Sequence, residues 1–448
     1  MDRDGPLCAV DCVDMSGRPP RTYVRYRAHE VQRRRLRRRR RLAGAAALLL
    51  TAAAVVGVAL AVTHDSPADG GPSTQPGIGL AGASTTPSAP ATASPSPSPS
   101  ATATPSPSPT WTGPASSTLR LKLTHVITGR LTPKSVVATQ TGLVTAQNMI
   151  YTHTVSVFND HTFKLVKTIP DTVRLSDWGF KGYSGTVRGG PVEAAVSADR
   201  KSVYVSNYSM YGPGFSRPGD DVGSPGQYDR SFVYRINLAS LRIDQVIRVG
   251  SVPKFLATTP DGKYLLVSNW TSYSLSVVNV ARARQVREIY LGPYPRGIAV
   301  DPQSRYAYVA VMGSTNIAKV DLRSFKVSWI SGVGISPRHL CMDATGRWLY
   351  ATLNGEGRVA KIDLRRDHVV AKVSTGQEPR SMAIAPDGKS LYLVNYVSQT
   401  VTKIRCADMH VLQVVSANAM PIGITYVDAT HDVWVSCYSG VVMVFHDG

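Results

Sequence analysis

Cysteine is scarce, five residues in 448, and the few present exclude a disulfide-stapled fold. Cys8 and Cys12 form a lone C-x-x-x-C pair with no second pair to complete a metal site. H-E-x-x-H, G-x-S-x-G, a Walker loop and C-x-x-C are all missing, and the ten histidines make no close-spaced ligand pair. Those absences remove the common hydrolase, nucleotide-binding and zinc readings, so no catalytic residue, metal or cofactor is expected. Lys and Arg vanish from residues 43–117, which hold only two acidic residues, both Asp. From 118 onward no helical periodicity is found, which excludes an α or α/β domain.

What is present divides the chain into four. Residues 1–41 carry 13 arginines against five acidic residues. Such a run suits nucleic acid, but it abuts 22 uncharged residues, 42–63, enough at about 1.5 Å each to cross the roughly 30 Å hydrocarbon layer. Arginines on one flank only place the N-terminus in the cytoplasm. The expectation is a single-pass anchor in the cell membrane. The alternatives are signal cleavage after Ala59-Leu60-Ala61, giving a secreted protein, or twin-arginine export. Residues 64–117 are Pro/Ser/Thr-rich and read as a disordered stalk. Gly77-x-Gly79-x-x-Gly82 lies inside it, with no strand before and no helix after, and is a chance match to a dinucleotide-binding pattern.

Residues 118–448 are organised by repetition. Prolines 253, 295, 337, 379 and 421 stand 42 residues apart, and each opens a short apolar run. In the copy from Pro253 the run ends at the turn Pro260-Asp261-Gly262-Lys263. Tyr264–Asn269, Tyr273–Asn279 and Val286–Leu291 then follow as strand-like segments. Four antiparallel strands in about 40 residues make one propeller blade. Pro133 and Pro191 open two more, each with an insertion, so the fold class is an all-β seven-bladed propeller of four-stranded blades. Cys341, Cys406 and Cys437 fall at positions filled by Ala, Leu or Asn in sister repeats and read as small buried side chains.

The ends of the chain agree with that count. Third strands close 26 residues after their proline, at Asn159, Asn279, Asp321, Asp363 and Arg405, and the same offset from Pro421 is Asp447. The last blade therefore lacks an outer strand, and Leu119–Ile127, following the stalk, is expected to supply it and close the ring.

Tyr204-Val205-Ser206-Asn207, Leu266-Val267-Ser268-Asn269 and Tyr392-Leu393-Val394-Asn395, beside Pro-Asp-Gly-Lys turns at Pro260 and Pro386, resemble the signature of the YVTN-repeat (YncE-like) β-propellers. The resemblance covers residues 118–448 and implies an extracytoplasmic binding scaffold, with no reaction attached. It also implies that two kinds of link open on one face around a central channel: outer strand to next inner strand, and second strand to third. Insertions 170–190 and 208–230 fall there, bearing Trp178, Tyr183, Tyr208 and Tyr211 among their aromatics. So do the residues after five of the prolines, Lys134, Lys254, Arg296, Arg338 and Arg380, with Trp270, Tyr396 and Tyr438 nearby.

Five cations at one mouth focus positive potential, and aromatics beside them suit an anionic small molecule, a glycan or single-stranded nucleic acid. The expected function is a membrane-anchored, non-enzymatic binding module for such an anion or for a protein partner. The rival is a propeller hydrolase or lyase of the lactonase or streptogramin-lyase kind. It would need His and carboxylates with a metal at the mouth, where inner-strand starts offer only His339 and Glu193.

Overall fold

Each repeat folds into one antiparallel sheet. In blade three the strands are Pro253–Thr258, Tyr264–Asn269, Ser274–Asn279 and Arg284–Tyr290, hydrogen-bonded in that order. The computed structural model describes residues 111 and 113–448. The arginine-rich segment 1–41, the span 42–63 and most of the 64–117 linker lie outside the described residues. Among those described, no helix is long and apolar enough to cross a membrane.

Seven sheets are present. Their inner strands, which carry the seven repeat prolines, abut one another in ring order from blade one to blade seven and back to one, around a central axis, termed the channel. Third strands end at Asn159, Asn279, Asp321, Asp363, Arg405 and Asp447, as the 26-residue offset predicts. Leu121–Ile127 pairs antiparallel with Val441–Asp447, placing Leu121 opposite Asp447 and Ile127 opposite Val442. The ring is closed by the first strand after the linker, and blade seven gains its fourth strand. Two residues assigned to the linker by composition are also docked: Trp111 stacks on His431 at 4.3 Å, and Ser116 bonds the Asp387 carboxylate of blade six.

Second strands lie between neighbouring blades and are buried along their length, as at Ser390–Asn395 and Asp432–Cys437. Outer strands alternate, as His368–Ser374 does, because one face meets solvent. Apolar clusters therefore straddle blade boundaries. Trp434 and Val444 of blade seven pack with Val136 and Phe158 of blade one. Each fully buried Val or Leu there contributes about 1.5–3 kcal/mol. Cys406 and Cys437 are buried and free, and Cys341 is partly buried.

The Ser-Asn ending of the second strand explains itself. Asn269 donates to Ser274 and Ser276 on the third strand, at 3.1 and 2.8 Å, and accepts the Gly250 amide. Asn148 and Asn395 bridge their third strands in the same way. Ser268 accepts the Phe255 amide of its own blade and donates to the Arg296 carbonyl of the next. Thr352 repeats that bridge from His339 to Arg380. The asparagine holds a blade together, and the hydroxyl ties it to the following one. Two inner strands approach so closely that only glycine fits. A Cβ on Gly297 would stand 2.7 Å from the Arg338 carbonyl oxygen, and one on Gly423 would stand 2.8 Å from the Ser135 Cα.

Blade two departs from the four-strand pattern. Part of the first insertion, Thr172–Val173, adds a fifth strand beside Val187–Arg188, followed by a 3-10 turn at Leu175–Trp178.

Candidate ligand site in the channel

Two repeated backbone devices build the channel wall. The first is a left-handed residue before each proline from blade three onward: Val252, Tyr294, Ser336, Glu378 and Met420, with φ between 52° and 62°. None is glycine, and each such residue costs on the order of 1–3 kcal/mol. The turn aims each carbonyl at the amide of Trp270, Met312, Asn354, Tyr396 or Tyr438, at 2.9–3.1 Å. Those residues follow their prolines by 17 positions, as Tyr208 follows Pro191, and make a second tier of equivalent positions in the repeat.

The second device is a bulge. Pro253 faces Asn269 but Leu256 faces Val267, so Lys254 and Phe255 fall in a register slip that re-aims their side chains. Arg296-Gly297, Arg338-His339 and Arg380-Ser381 sit in the same slip.

The five basic residues converge, but inside the molecule instead of on an open mouth. Lys134 is 4 % exposed, Lys254 5 %, Arg296 4 % and Arg338 7 %, and Arg380 is half-buried. Buried charge of one sign requires carboxylates. Glu193 receives both Lys134 and Arg296 on its Oε1, each at 3.1 Å. Asp221 receives Lys254 at 2.7 Å, and Glu378 receives Arg380 at 2.6 Å. Arg338 has no carboxylate within 4.0 Å among the described residues; its recorded contact is Met312 Sδ at 3.6 Å. The group holds five cations against three carboxylates, a formal excess of +2.

The titration of these groups reflects the crowding. Burial and then the neighbouring Arg296 and Arg380 disfavour the charged form of Arg338. Burial opposes ionisation of Glu193, but Lys134 and Arg296 outweigh it and hold its carboxyl below the usual range. Burial pushes Lys254 down to about 8 despite Asp221. His339, edge-on to Phe255 at 4.9 Å, is pushed down to about 4, first by burial and then by the surrounding cations, so it is neutral at pH 7.

The aromatics divide. Lys254 Nζ lies 4.2 Å from the Tyr208 ring centre and 5.3 Å from that of Trp270. Arg380 stacks over Tyr396 at 4.0 Å, and Tyr438 meets Tyr396 edge-on at 6.2 Å. These four lie against or beside the basic residues. Trp178 and Tyr183 do not join them. With Phe180 and Phe215 they pack around buried Phe232, forming a small apolar core under the insertions. Exposed Tyr211 meets His153 edge-on at 5.3 Å. Asp220, Asp221 and Asp229 do not gather around a common point. Asp229 is capped by the amides of Ser216 and Arg217, and no group of three or more potential metal ligands exists among the described residues.

Residues 335–430 match the family model described as Cytochrome D1 heme domain. The match takes in blades five and six and the inner strand of blade seven, under a quarter of the chain, and it is to a propeller family. No curated protein matches the chain. A haem requires an axial ligand beside a slot for its macrocycle. The matched stretch holds three histidines: His368 and His410 are exposed, and His339 is wedged between Phe255 and the channel cations. Cavities of about 390 and 500 Å³ open between blades two and three, lined by residues 180–285 and by none of the matched stretch. These residues do not fit a haem.

Sequence reasoning placed Glu193 at an inner-strand start but not its pairing with Lys134 and Arg296, and it did not place Asp221 beside Lys254. The pairings reach 59 and 103 residues from Glu193 and 33 from Asp221. The available signal for Glu193 was a carboxylate one position after the basic series, in a blade whose own basic position is Val192.

Proposed function

We propose that the protein is a non-enzymatic binding propeller whose channel takes an anionic ligand, carried outside the cell on a membrane anchor and a Pro/Ser stalk as a YVTN-like scaffold. One observation carries the ligand class: Arg338 is buried beside Arg296 and Arg380 with no carboxylate within 4.0 Å among the described residues, Glu193 and Glu378 acting on it only from farther off. A buried charge that is only partly compensated is costly, and an anion seated against Arg338 recovers part of that cost. Half-buried Tyr438, beside the stacked Arg380–Tyr396 pair, adds aromatic surface for a sugar or other planar group.

The test is calorimetric titration of the full chain with citrate. Binding is expected, weakening steeply as salt rises, with at least a tenfold loss in Arg338→Gln and a smaller one in Arg338→Lys. Affinity unchanged in Arg338→Gln rejects the channel as the anion site.

A further inference from the structure

The second insertion reaches residues of the ring itself. Its tip, Asp221-Val222-Gly223, lies across side chains that all point at it from blades two and three. Lys254 Nζ donates to the Asp221 carboxylate at 2.7 Å, and the Tyr208 hydroxyl donates to the same oxygen at 3.2 Å. Trp270 Nε1 donates to the Asp221 backbone carbonyl at 2.8 Å, and the Tyr273 hydroxyl donates to the Gly223 carbonyl at 2.8 Å. One carboxylate and two main-chain carbonyls are thus read by four donors, the pattern by which an acidic peptide is recognised.

Two features separate the seat from its occupant. Lys254 belongs to the inner-strand basic series. Trp270 and Tyr208 stand 17 residues after their prolines, Tyr208 being the first residue of the insertion but still within the strand Ser202–Tyr211. Three of the four seat residues are therefore repeat positions. The occupant comes from an insertion that blade two alone carries at that link. The Asp221 side chain is also 48 % exposed where Lys254 is 7 % exposed, so the segment lies on the seat and is not sealed into it.

From this geometry we infer that Asp221–Gly223 is a tethered stand-in, and that the seat on Lys254, Tyr208, Trp270 and Tyr273 takes an acidic peptide of a protein partner once the tip lifts. The inference rests on the channel being a ligand site and names the partner's chemistry. A tethered segment competes at an effective concentration on the order of millimolar, which masks the seat from free peptide.

The experiment uses the full chain and a synthetic peptide with the sequence of residues 219–226. Two variants free the seat: Asp221→Asn, and replacement of 219–226 by a Gly/Ser linker of equal length. Both are expected to bind the peptide at least tenfold more tightly than the unaltered chain. Asn in place of the peptide's second Asp, or Lys254→Gln in the protein, should remove at least tenfold. Asp220→Asn should change nothing, since Asp220 does not touch Lys254. Equal peptide binding by variant and unaltered chains overturns the inference, as does indifference to the peptide's Asp. If citrate binds through Arg338 but the freed seat takes no peptide, this inference falls and the anion site stands. If neither binds, both fall.

Discussion

Lys403 Nζ lies 2.5 Å from the Asp447 carboxylate, and both side chains are fully buried. The same carboxylate accepts the Tyr392 hydroxyl, and Lys403 also donates to the Leu119 carbonyl at 2.9 Å. One ion pair therefore joins blade six, the last strand of blade seven and the segment entering the closing strand. Burial, before any partner is counted, pushes the Lys403 pKa down. Removing one member of such a pair strands the other charge and costs about 3–5 kcal/mol, whereas replacing both with apolar residues is often neutral. Asp447→Asn is expected to lower the unfolding free energy by about that amount in urea. Lys403→Met/Asp447→Leu should recover part of that loss and not all of it, since the Tyr392 hydroxyl and the Leu119 carbonyl lose their partners. A double variant as weak as the single one would show that the pair is irreplaceable.

Lys254 makes the insertion tip sensitive to alkali. Its pKa is about 8 against an ordinary 10.5, set by burial first and then by Asp221, which opposes the drop, and by Arg296 and Arg338, which deepen it. Above pH 8 the folded protein loses this proton while the unfolded chain keeps it to 10.5, so the Lys254 contribution to global stability improves across that window. The tip behaves oppositely, since neutral Lys254 no longer holds the Asp221 carboxylate. Tryptophan fluorescence should report release of Trp270 with a midpoint near pH 8. Trp270→Phe should abolish the transition, and Lys254→Arg should leave the emission flat through pH 10. A midpoint shared by Lys254→Arg would assign the transition to another group.

The Ser-Asn pair predicts a graded series. Asn269→Ala removes two donations to third-strand hydroxyls and strands the Gly250 amide, so a loss of about 1–3 kcal/mol is expected in thermal or urea unfolding. Ser268→Ala breaks the tie between blades three and four and should cost a comparable amount. If either substitution is neutral, the motif is not what holds neighbouring sheets in register.

Those cases show where sequence reasoning reached and where it stopped. Spacing alone reports the blades, the third-strand ends and the closing strand, because a sheet of four consecutive strands is a local object. Lys134, Lys254, Arg296, Arg338 and Arg380 were visible as a series for the same reason. Their ion pairs were not, because Glu193 and Asp221 meet them only once distant segments have folded together. Trp178 and Tyr183 looked like binding aromatics in a Gly-rich insertion. An insertion of some 20 residues also needs an apolar centre of its own, and Phe232 at the start of a blade-two strand provides it. The bulge after each proline leaves no compositional trace, yet it turns an outward basic residue into a channel one.

Closure of the ring is tested by two truncations. Removing residues 1–110 leaves Trp111 on His431 and Ser116 on Asp387, with the closing strand intact. Removing 1–128 deletes Leu121–Ile127 and exposes Val441–Asp447 as an unpaired edge. It also strips Lys403 of the Leu119 carbonyl and Gly448 of its two bonds to Arg120. Open edges pair with other chains, so the shorter protein should run as higher oligomers or aggregate at micromolar concentration. The longer one should stay monodisperse on size exclusion and melt cooperatively. Within the longer chain, Leu121→Ala isolates the apolar part of the latch, since Leu121 packs with Tyr426, Val435 and Phe445. A loss of about 2–5 kcal/mol is expected there. Two truncations of equal stability and equal size would mean that blade seven holds with three strands, and that closure contributes little to this propeller.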